Sequence, residues 1–165
     1  MFPAVLSQRD GDIATVTLFN PEKLNALNAA MWRRLADVFA ALDADESLRC
    51  VIVRGEGNAF AAGGDLDEMH ALRATRAGAL AYHETVGKAL AAIARCRHPV
   101  VALIRGPCVG GGLEIACACD LRIAGAAAQL EERALHRDGL PVRAVRGHRV
   151  ERVADRDDPR AERDV

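Results

Sequence analysis

The stretch RGPCVGGGLEIA at residues 105–116 is the part of the sequence that says most about the fold. It follows the apolar run Val100–Ile104, which is typical of a strand buried on both faces of a parallel sheet. The three glycines at 110–112 predict a tight turn, and the apolar residues after them predict a helix. An order of strand, glycine loop and helix favours an α/β fold.

A second stretch repeats this order nearer the N-terminus. Residues 51–53 form another apolar run, and GEGNAFAAGGDL at residues 55–66 follows it and opens a helix. Residues 4–8 and 13–18 flank an Asp-Gly-Asp turn and predict a β-hairpin. Apolar spacing of three to four residues predicts two longer helices, the first of them capped by Asn28. Their apolar positions are Met31, Leu35, Val38 and Leu42 in the first helix and Tyr82, Val86, Leu90 and Ile93 in the second.

Each glycine loop is open to two interpretations. The corner at Gly63, Gly64 and Asp65 is either a strand-to-helix turn with Asp65 as its N-cap, or a place where backbone N–H groups meet a developing negative charge. The loop that ends at Gly111 repeats this design, and two such loops can bring two N–H donors onto one carbonyl oxygen. That geometry polarises a thioester or stabilises an enolate. Neither loop has the residue order of a P-loop or of a dinucleotide-binding fold.

Glu114 lies between Leu113 and Ile115, in the first turn of the helix predicted after the second glycine loop. It either complements the helix dipole or acts as a general base on a carbon close to the polarised carbonyl. Burial among apolar neighbours would favour the protonated form, whereas the dipole favours the carboxylate, and the sequence leaves both open.

The chain changes character near Gln129. Residues 130–165 hold nine Arg and nine acidic residues, with no aromatic residue and no sustained apolar period. The sequence therefore predicts an incomplete core at residues 1–129 and an Arg-rich tail at residues 130–165. The tail is either a disordered extension or a run translated out of frame. The whole chain has 20 Arg and only 2 Lys, a bias typical of G+C-rich codons, which favours the second interpretation.

Composition excludes several classes of protein. The chain has 22 basic and 23 acidic residues, so no basic surface for nucleic acid is expected. Arg105, Glu114 and Asp120 interrupt the longest apolar stretch, and no signal peptide is recognisable, which predicts a cytoplasmic protein that is not bound to a membrane. The five cysteines are interpreted as reduced core residues, and the scattered histidines predict no metal site.

Four motifs together resemble the enoyl-CoA hydratase/isomerase (crotonase) family. They are NPEKLNALN at 20–28, NAFAAGGDL at 58–66, GGGLE at 110–114 and CDLRIA at 119–124. Their order and spacing fit the family over about residues 1–129. The resemblance implies a crotonase-like spiral of ββα units without its C-terminal helical part. It also implies an acyl-CoA thioester as substrate, no cofactor beyond the CoA of that thioester, and homotrimers or hexamers.

The resemblance also implies roles for particular residues. The N–H groups of Gly64 and Gly111 would form an oxyanion hole, and Glu114 would match the first catalytic glutamate of the hydratases. The residues along the CoA and pantetheine path would be Lys23, Leu24, Asn25, Ala26, Ala61, Ala62 and Asp65.

The main departure from the family concerns a second glutamate. Hydratases carry it about twenty residues after the first, where this chain has Ala134, with Glu131 and Glu132 out of register. A 2-enoyl-CoA hydratase is the first expectation. An isomerase that uses a single carboxylate, or an inactive truncated remnant that binds CoA, are the alternatives.

Overall fold

The computed structural model describes residues 2–131 and 150–153, and a six-stranded mixed sheet is its centre. The strands lie in the order β1-β2-β3-β4-β6-β8, where β1 and β2 are antiparallel and the other neighbours are parallel. Strands β5 and β7 pair in a separate two-stranded parallel sheet. The bounds are β1 Ala4–Asp10, β2 Ile13–Phe19, β3 Cys50–Gly55, β4 Val100–Ile104, β5 Pro107–Val109, β6 Leu121–Gly125, β7 Gln129–Glu131 and β8 Val150–Val153.

Four α-helices connect the strands. They are α1 Ala29–Ala44, α2 Leu66–Leu72, α3 Arg76–Ala94 and α4 Gly111–Ala118, with a short 3₁₀ helix at Pro21–Lys23. Asn28 caps α1 as predicted, because its Oδ1 accepts from Met31 N at 2.8 Å. Asp65 caps α2 through Oδ1, which accepts from Asp67 N at 3.2 Å. The predicted hairpin, both long helices and the α/β class are confirmed.

The core lies between the main sheet and one layer of helices. Val16, Val53 and Ala102 are register neighbours across β2, β3 and β4, and all three are fully buried. The largest side chains packed on this face are Trp32, Phe39, Phe60, Leu18, Leu27, Met31 and Leu35. Four of these seven side chains, Met31, Trp32, Leu35 and Phe39, come from α1, so this helix contributes a large part of the core.

The prediction that the apolar runs are buried on both faces is wrong in one respect. Val51 and Val53 are fully buried, but Ile52 between them is partly exposed, and Val101 and Leu103 of β4 are likewise partly exposed. Burial thus alternates along the apolar residues of both strands, as it does when one face is covered more fully than the other. Alternate side chains of a strand point to opposite faces, so only every second residue reaches the core.

Four strands, β5, β6, β7 and β8, occur where the sequence predicts none. Val150–Val153, inside the Arg-rich tail, pairs parallel to β6 with Arg122 opposite Val150. Backbone hydrogen bonds to an open sheet edge require no side-chain period, which is why periodicity did not reveal it. The first two residues of the tail, Leu130 and Glu131, belong to β7. Residues 132–149 and 154–165, which include Ala134, lie outside the described residues, and the division at Gln129 stays a prediction.

The five cysteines are free, as predicted, but Cys50, Cys96 and Cys117 are partly exposed and are not core residues. Cys108 and Cys119 are buried, and burial raises the pKa of each thiol to about 12. Such thiols stay protonated and act as small apolar side chains. Among the described residues no cluster of His, Cys, Asp and Glu could hold a metal ion. No helix in the described part of the chain is long and apolar enough to cross a membrane.

Gly87, on the exposed side of α3, offers a simple stability test. A Cβ built there meets no atom within 4 Å, and its backbone is helical. Glycine in a helix interior costs about 0.5–1 kcal/mol relative to alanine, mostly through unfolded-state entropy. We therefore expect Gly87→Ala to raise the free energy of unfolding by that amount in urea titrations. An unchanged or lower value would contradict the helical environment described here.

Candidate active site

Gly64 lies in the extended segment just before α2, which is hydrogen-bonded to Leu27 on one side. The backbone N–H of Gly64 points to the other side. Leu27 N donates to Gly63 O at 2.8 Å, and Asp65 N donates to Leu27 O at 2.8 Å. A trans peptide places its C=O and N–H on opposite sides, and no cis peptide occurs among the described residues. Since the Gly63 carbonyl faces Leu27, the Gly64 N–H points away from Leu27.

Gly111 is the first residue of α4, where N–H groups have no partner within the helix. Gly110 O accepts from Glu114 N at 2.9 Å, so the Gly111 N–H on the same peptide points out of the helix N-terminus. Gly110 has φ +51°, a conformation that glycine adopts without strain. The short strand β5, which the sequence did not predict, precedes this turn.

The two amide nitrogens lie close together. A Cβ built on Gly63 would lie 3.6 Å from Gly111 N. With standard covalent distances, this limits the separation of Gly64 N and Gly111 N to less than about 7.5 Å. Neither N–H donates to a backbone or side-chain group of the described residues. The spacing is compatible with two donors to one oxygen, and the oxyanion hole itself stays a prediction.

Close packing of Gly112 fixes this arrangement. A Cβ on Gly112 would lie 2.4 Å from Ala61 O and 2.9 Å from Ala61 Cβ. Ala61 is itself held to β5, since its O accepts from Val109 N at 2.9 Å and its N donates to Pro107 O at 3.1 Å. At the other end of α4, Arg122 Nη1 donates to Ala116 O and Cys119 O, both at 2.8 Å. The helix therefore has little freedom to move relative to Gly64.

A cavity of about 550 Å³ opens in front of the two amides. Glu114 lies on its wall with an exposed side chain, so the apolar neighbours in sequence do not enclose the carboxylate. It is the one carboxylate that lines this cavity among the described residues. The lining consists of Trp32, Ala62, Gly63, Gly64, Leu66, Met69, Arg73, Tyr82, His83, Val86, Val109, Gly110, Gly111 and Glu114.

The residues expected along the CoA path divide into two groups. Lys23 Nζ donates to both Asp65 carboxylate oxygens at 2.8 Å. Leu24 follows Lys23 in the chain, and its carbonyl oxygen accepts from Ala62 N at 2.9 Å. Lys23, Leu24, Ala62 and Asp65 therefore form one connected edge. The Asp65 hydrogen bond holds the pKa of Lys23 above its usual range. Of the four, Ala62 lines the cavity, and Leu24 is exposed on the surface beside it.

The other three predicted path residues, Asn25, Ala26 and Ala61, are buried. Ala26 O accepts from Asn20 Nδ2 at 2.8 Å, and the Ala61 backbone pairs with β5. Their backbone groups therefore hold neighbouring segments together, and their assignment to the CoA path stays a prediction.

Asn25 is buried with φ +60° and organises the loop that carries Lys23 and Leu24. Its Nδ2 donates to Glu56 O at 2.9 Å and Ala59 O at 2.8 Å, while Oδ1 accepts from Asn20 N at 3.0 Å. The side chain thus joins the loop after β2 to the loop after β3. Asparagine is one of the few non-glycine residues that tolerate this backbone conformation.

Trp32, Met69 and Tyr82 line the cavity, but sequence reasoning did not single them out as site residues. The apolar period of α1 and α3 is compatible with Trp32 and Tyr82 as core residues, and periodicity cannot distinguish a core wall from a cavity wall. Tyr82 is 8 % exposed, and its Oη lies 3.0 Å from a Cβ built on Gly64.

The fold and this cavity define an α/β protein of the crotonase fold. The chain belongs to the enoyl-CoA hydratase/isomerase family, whose model matches residues 8–137. The match extends beyond Gln129, the residue at which the sequence resemblance was expected to end. The predicted family and fold are therefore confirmed.

Individual relatives agree with this assignment. The chain is 34% identical over 140 residues to a probable enoyl-CoA hydratase of Mycobacterium bovis, covering 85% of this chain and 53% of that protein. It is 36% identical over 116 residues to the mitochondrial Delta(3,5)-Delta(2,4)-dienoyl-CoA isomerase of Mus musculus, covering 65% of this chain and 36% of that protein.

A solved structure is similar in fold as well as sequence. It is an enoyl-CoA hydratase/carnithine racemase from Magnetospirillum magneticum, with a TM-score of 0.76 and 47% identity. The similarity covers 78% of this chain and 48% of that one. The chain spans about half the length of the curated hydratase that it matches.

Proposed function

We propose that the protein acts on acyl-CoA thioesters and adds water to the double bond of a 2-enoyl-CoA. The observation that carries this proposal is the pair of free N–H groups, at Gly64 and Gly111, beside one carboxylate on one cavity. Two amide donors suit a thioester oxygen that gains negative charge during reaction. The CoA portion is expected along the edge formed by Lys23, Leu24, Ala62 and Asp65, and no cofactor beyond it is needed.

In the proposed reaction Glu114 removes a proton from a water molecule. The water oxygen bonds to the β-carbon, and the double-bond electrons move onto the thioester as an enolate. The Gly64 and Gly111 N–H groups hold the enolate oxygen. Glu114 then returns the proton to the α-carbon, so that a single carboxylate serves as base and acid in turn.

An isomerase is the second candidate. Two observations favour it: the similarity to a dienoyl-CoA isomerase, and the single carboxylate in the described cavity wall. The same Glu114 would remove a proton from one carbon of a 3-enoyl thioester and return it to another, through the same enolate.

Product analysis separates the two reactions. The protein is incubated with crotonyl-CoA and, separately, with 3-hexenoyl-CoA. Hydration is detected by mass spectrometry, and 2- and 3-hexenoyl-CoA, which have the same mass, are separated by chromatography against standards. We expect 3-hydroxybutyryl-CoA from the first and little conversion of the second. Conversion of 3-hexenoyl-CoA alone would establish the isomerase. Binding of butyryl-CoA without turnover of either substrate would favour a remnant that only binds CoA thioesters.

The proposed assembly is a homotrimer or a hexamer of this chain, as the family resemblance implies. Sedimentation velocity at several protein concentrations tests it, and a monomer at all concentrations would contradict it.

A further inference from the structure

Trp32 carries a buried hydrogen-bond donor without a partner. Its side chain is 1 % exposed, and its Nε1 makes no hydrogen bond with the described residues. The ring lies under the second glycine loop, with Cζ2 2.9 Å from a Cβ built on Gly111. Buried N–H groups are nearly always paired in folded proteins, so an unpaired one on a cavity wall calls for an explanation.

Tyr82 lines the same cavity as Trp32, and the two side chains lie against the glycine turns at Gly64 and Gly111 respectively. Burial raises the pKa of Tyr82. The phenol therefore stays neutral and can donate one hydrogen bond while it accepts another. Its Oη lies 3.0 Å from a Cβ built on Gly64, which places it beside the proposed position of the thioester.

We propose that Tyr82 is a specificity-determining residue, whose hydroxyl donates a hydrogen bond to the oxygen on the β-carbon of a bound 3-hydroxyacyl thioester. Trp32 is the positioning residue: when its N–H turns onto Tyr82 Oη, the phenolic proton is directed into the cavity. The inference rests on the proposed function, because it requires a thioester held by Gly64 and Gly111.

Tyr82 carries the one hydroxyl on the cavity wall among the described residues. Leu66, Met69 and Val86 are apolar and offer no donor to a β-oxygen, whereas Arg73 and His83 also carry donors. An unchanged preference for the hydroxylated ligand in Tyr82→Phe would assign the contact to one of those two residues. The carboxylate form of Glu114 accepts hydrogen bonds, whereas a phenolic hydroxyl can donate one. A neutral hydroxyl on the cavity wall complements this carboxylate, since the β-oxygen can donate to Glu114 and accept from Tyr82.

The test compares the affinities for two ligands that differ only at the β-carbon. Dissociation constants of 3-hydroxybutyryl-CoA and butyryl-CoA are measured by calorimetry for the wild type, Tyr82→Phe, Trp32→Phe and the double variant. Thr85→Val is the matched control, because it removes a hydroxyl from the same helix that bonds to Ala81 O and does not line the cavity.

We expect the wild type to bind the hydroxylated ligand more tightly. Tyr82→Phe should weaken binding of 3-hydroxybutyryl-CoA by about 2- to 12-fold, the effect of one neutral hydrogen bond, and leave butyryl-CoA unchanged. Trp32→Phe should lower the preference for 3-hydroxybutyryl-CoA over butyryl-CoA. The double variant should lose no more of this preference than Tyr82→Phe alone, because Trp32 acts through Tyr82.

Three results would overturn the inference. Equal loss of affinity for both ligands in Tyr82→Phe would give the residue a structural role only. An unchanged preference would show that the hydroxyl does not meet the β-oxygen. If the wild type binds neither thioester, both the inference and the proposed function fail. If the wild type binds butyryl-CoA normally and either of the first two results is found, only the inference fails and the proposed function stands.

Discussion

Glu114→Gln is expected to lower the rate of crotonyl-CoA hydration by a factor of about 100 to 10,000, with little change in thioester binding. The substitution keeps the shape of the side chain and its capacity to hydrogen-bond, but it removes the base. Glu114 is exposed on the wall of the cavity that contains Gly64 and Gly111, where water and an acyl group can both reach it. The rate is measured from the loss of enoyl absorbance, and binding from calorimetry with butyryl-CoA.

Glu84→Gln is the matched control for this prediction. Glu84 lies on α3, pairs with Lys88 at 2.7 Å and does not line the cavity, so turnover should not change. If Glu114 serves only the helix dipole, Glu114→Gln would cost a few tenths to about 1 kcal/mol of stability and leave turnover intact. Unchanged turnover in the folded variant would refute the catalytic assignment.

Gly112→Ala should have the second large effect, although residue 112 is not expected to touch the substrate. The new Cβ would lie 2.4 Å from the Ala61 carbonyl oxygen, a backbone atom that β5 holds in place. The start of α4 must therefore move away, and Gly111 moves with it relative to Gly64. Removing one oxyanion donor costs about 100- to 1,000-fold in turnover in other enzymes, and we expect a loss of that order.

Gly87→Ala provides the comparison for Gly112→Ala, because it makes the same chemical change where nothing lies within 4 Å. It should leave turnover unchanged. Circular dichroism shows whether Gly112→Ala still folds, and turnover is then expressed per folded molecule. Wild-type turnover in folded Gly112→Ala would show that the spacing of the two loops does not control the reaction.

Local patterns in the sequence predicted most of the elements that build the site. Asn28 and Asp65 cap α1 and α2 as expected, because capping depends on a side chain and an amide only two or three residues away. The apolar run at 100–104 forms β4, and the glycines at 110–112 begin α4. These features depend on interactions between residues that are close in the chain.

Features that depend on distant pairing could not be predicted in the same way. Strand β5 is only three residues long, and it exists because Cys108 bridges to Ala61 and β7 pairs beside it. The role of Asn25 depends on carbonyls more than thirty residues away, at Glu56 and Ala59. Tyr82 reaches Gly64 only after α3 packs against α1, which no local pattern contains.

In the proposed mechanism the amides of Gly64 and Gly111 bind the same thioester oxygen. Amide proton shifts test it directly, because a hydrogen bond to a carbonyl oxygen moves the donor resonance downfield. The protein is labelled with ¹⁵N-glycine, its backbone is assigned, and butyryl-CoA or free CoA is added. We predict that both amide protons shift downfield with butyryl-CoA and that neither does so with free CoA. A response from only one glycine, or the same response to free CoA, would contradict the account.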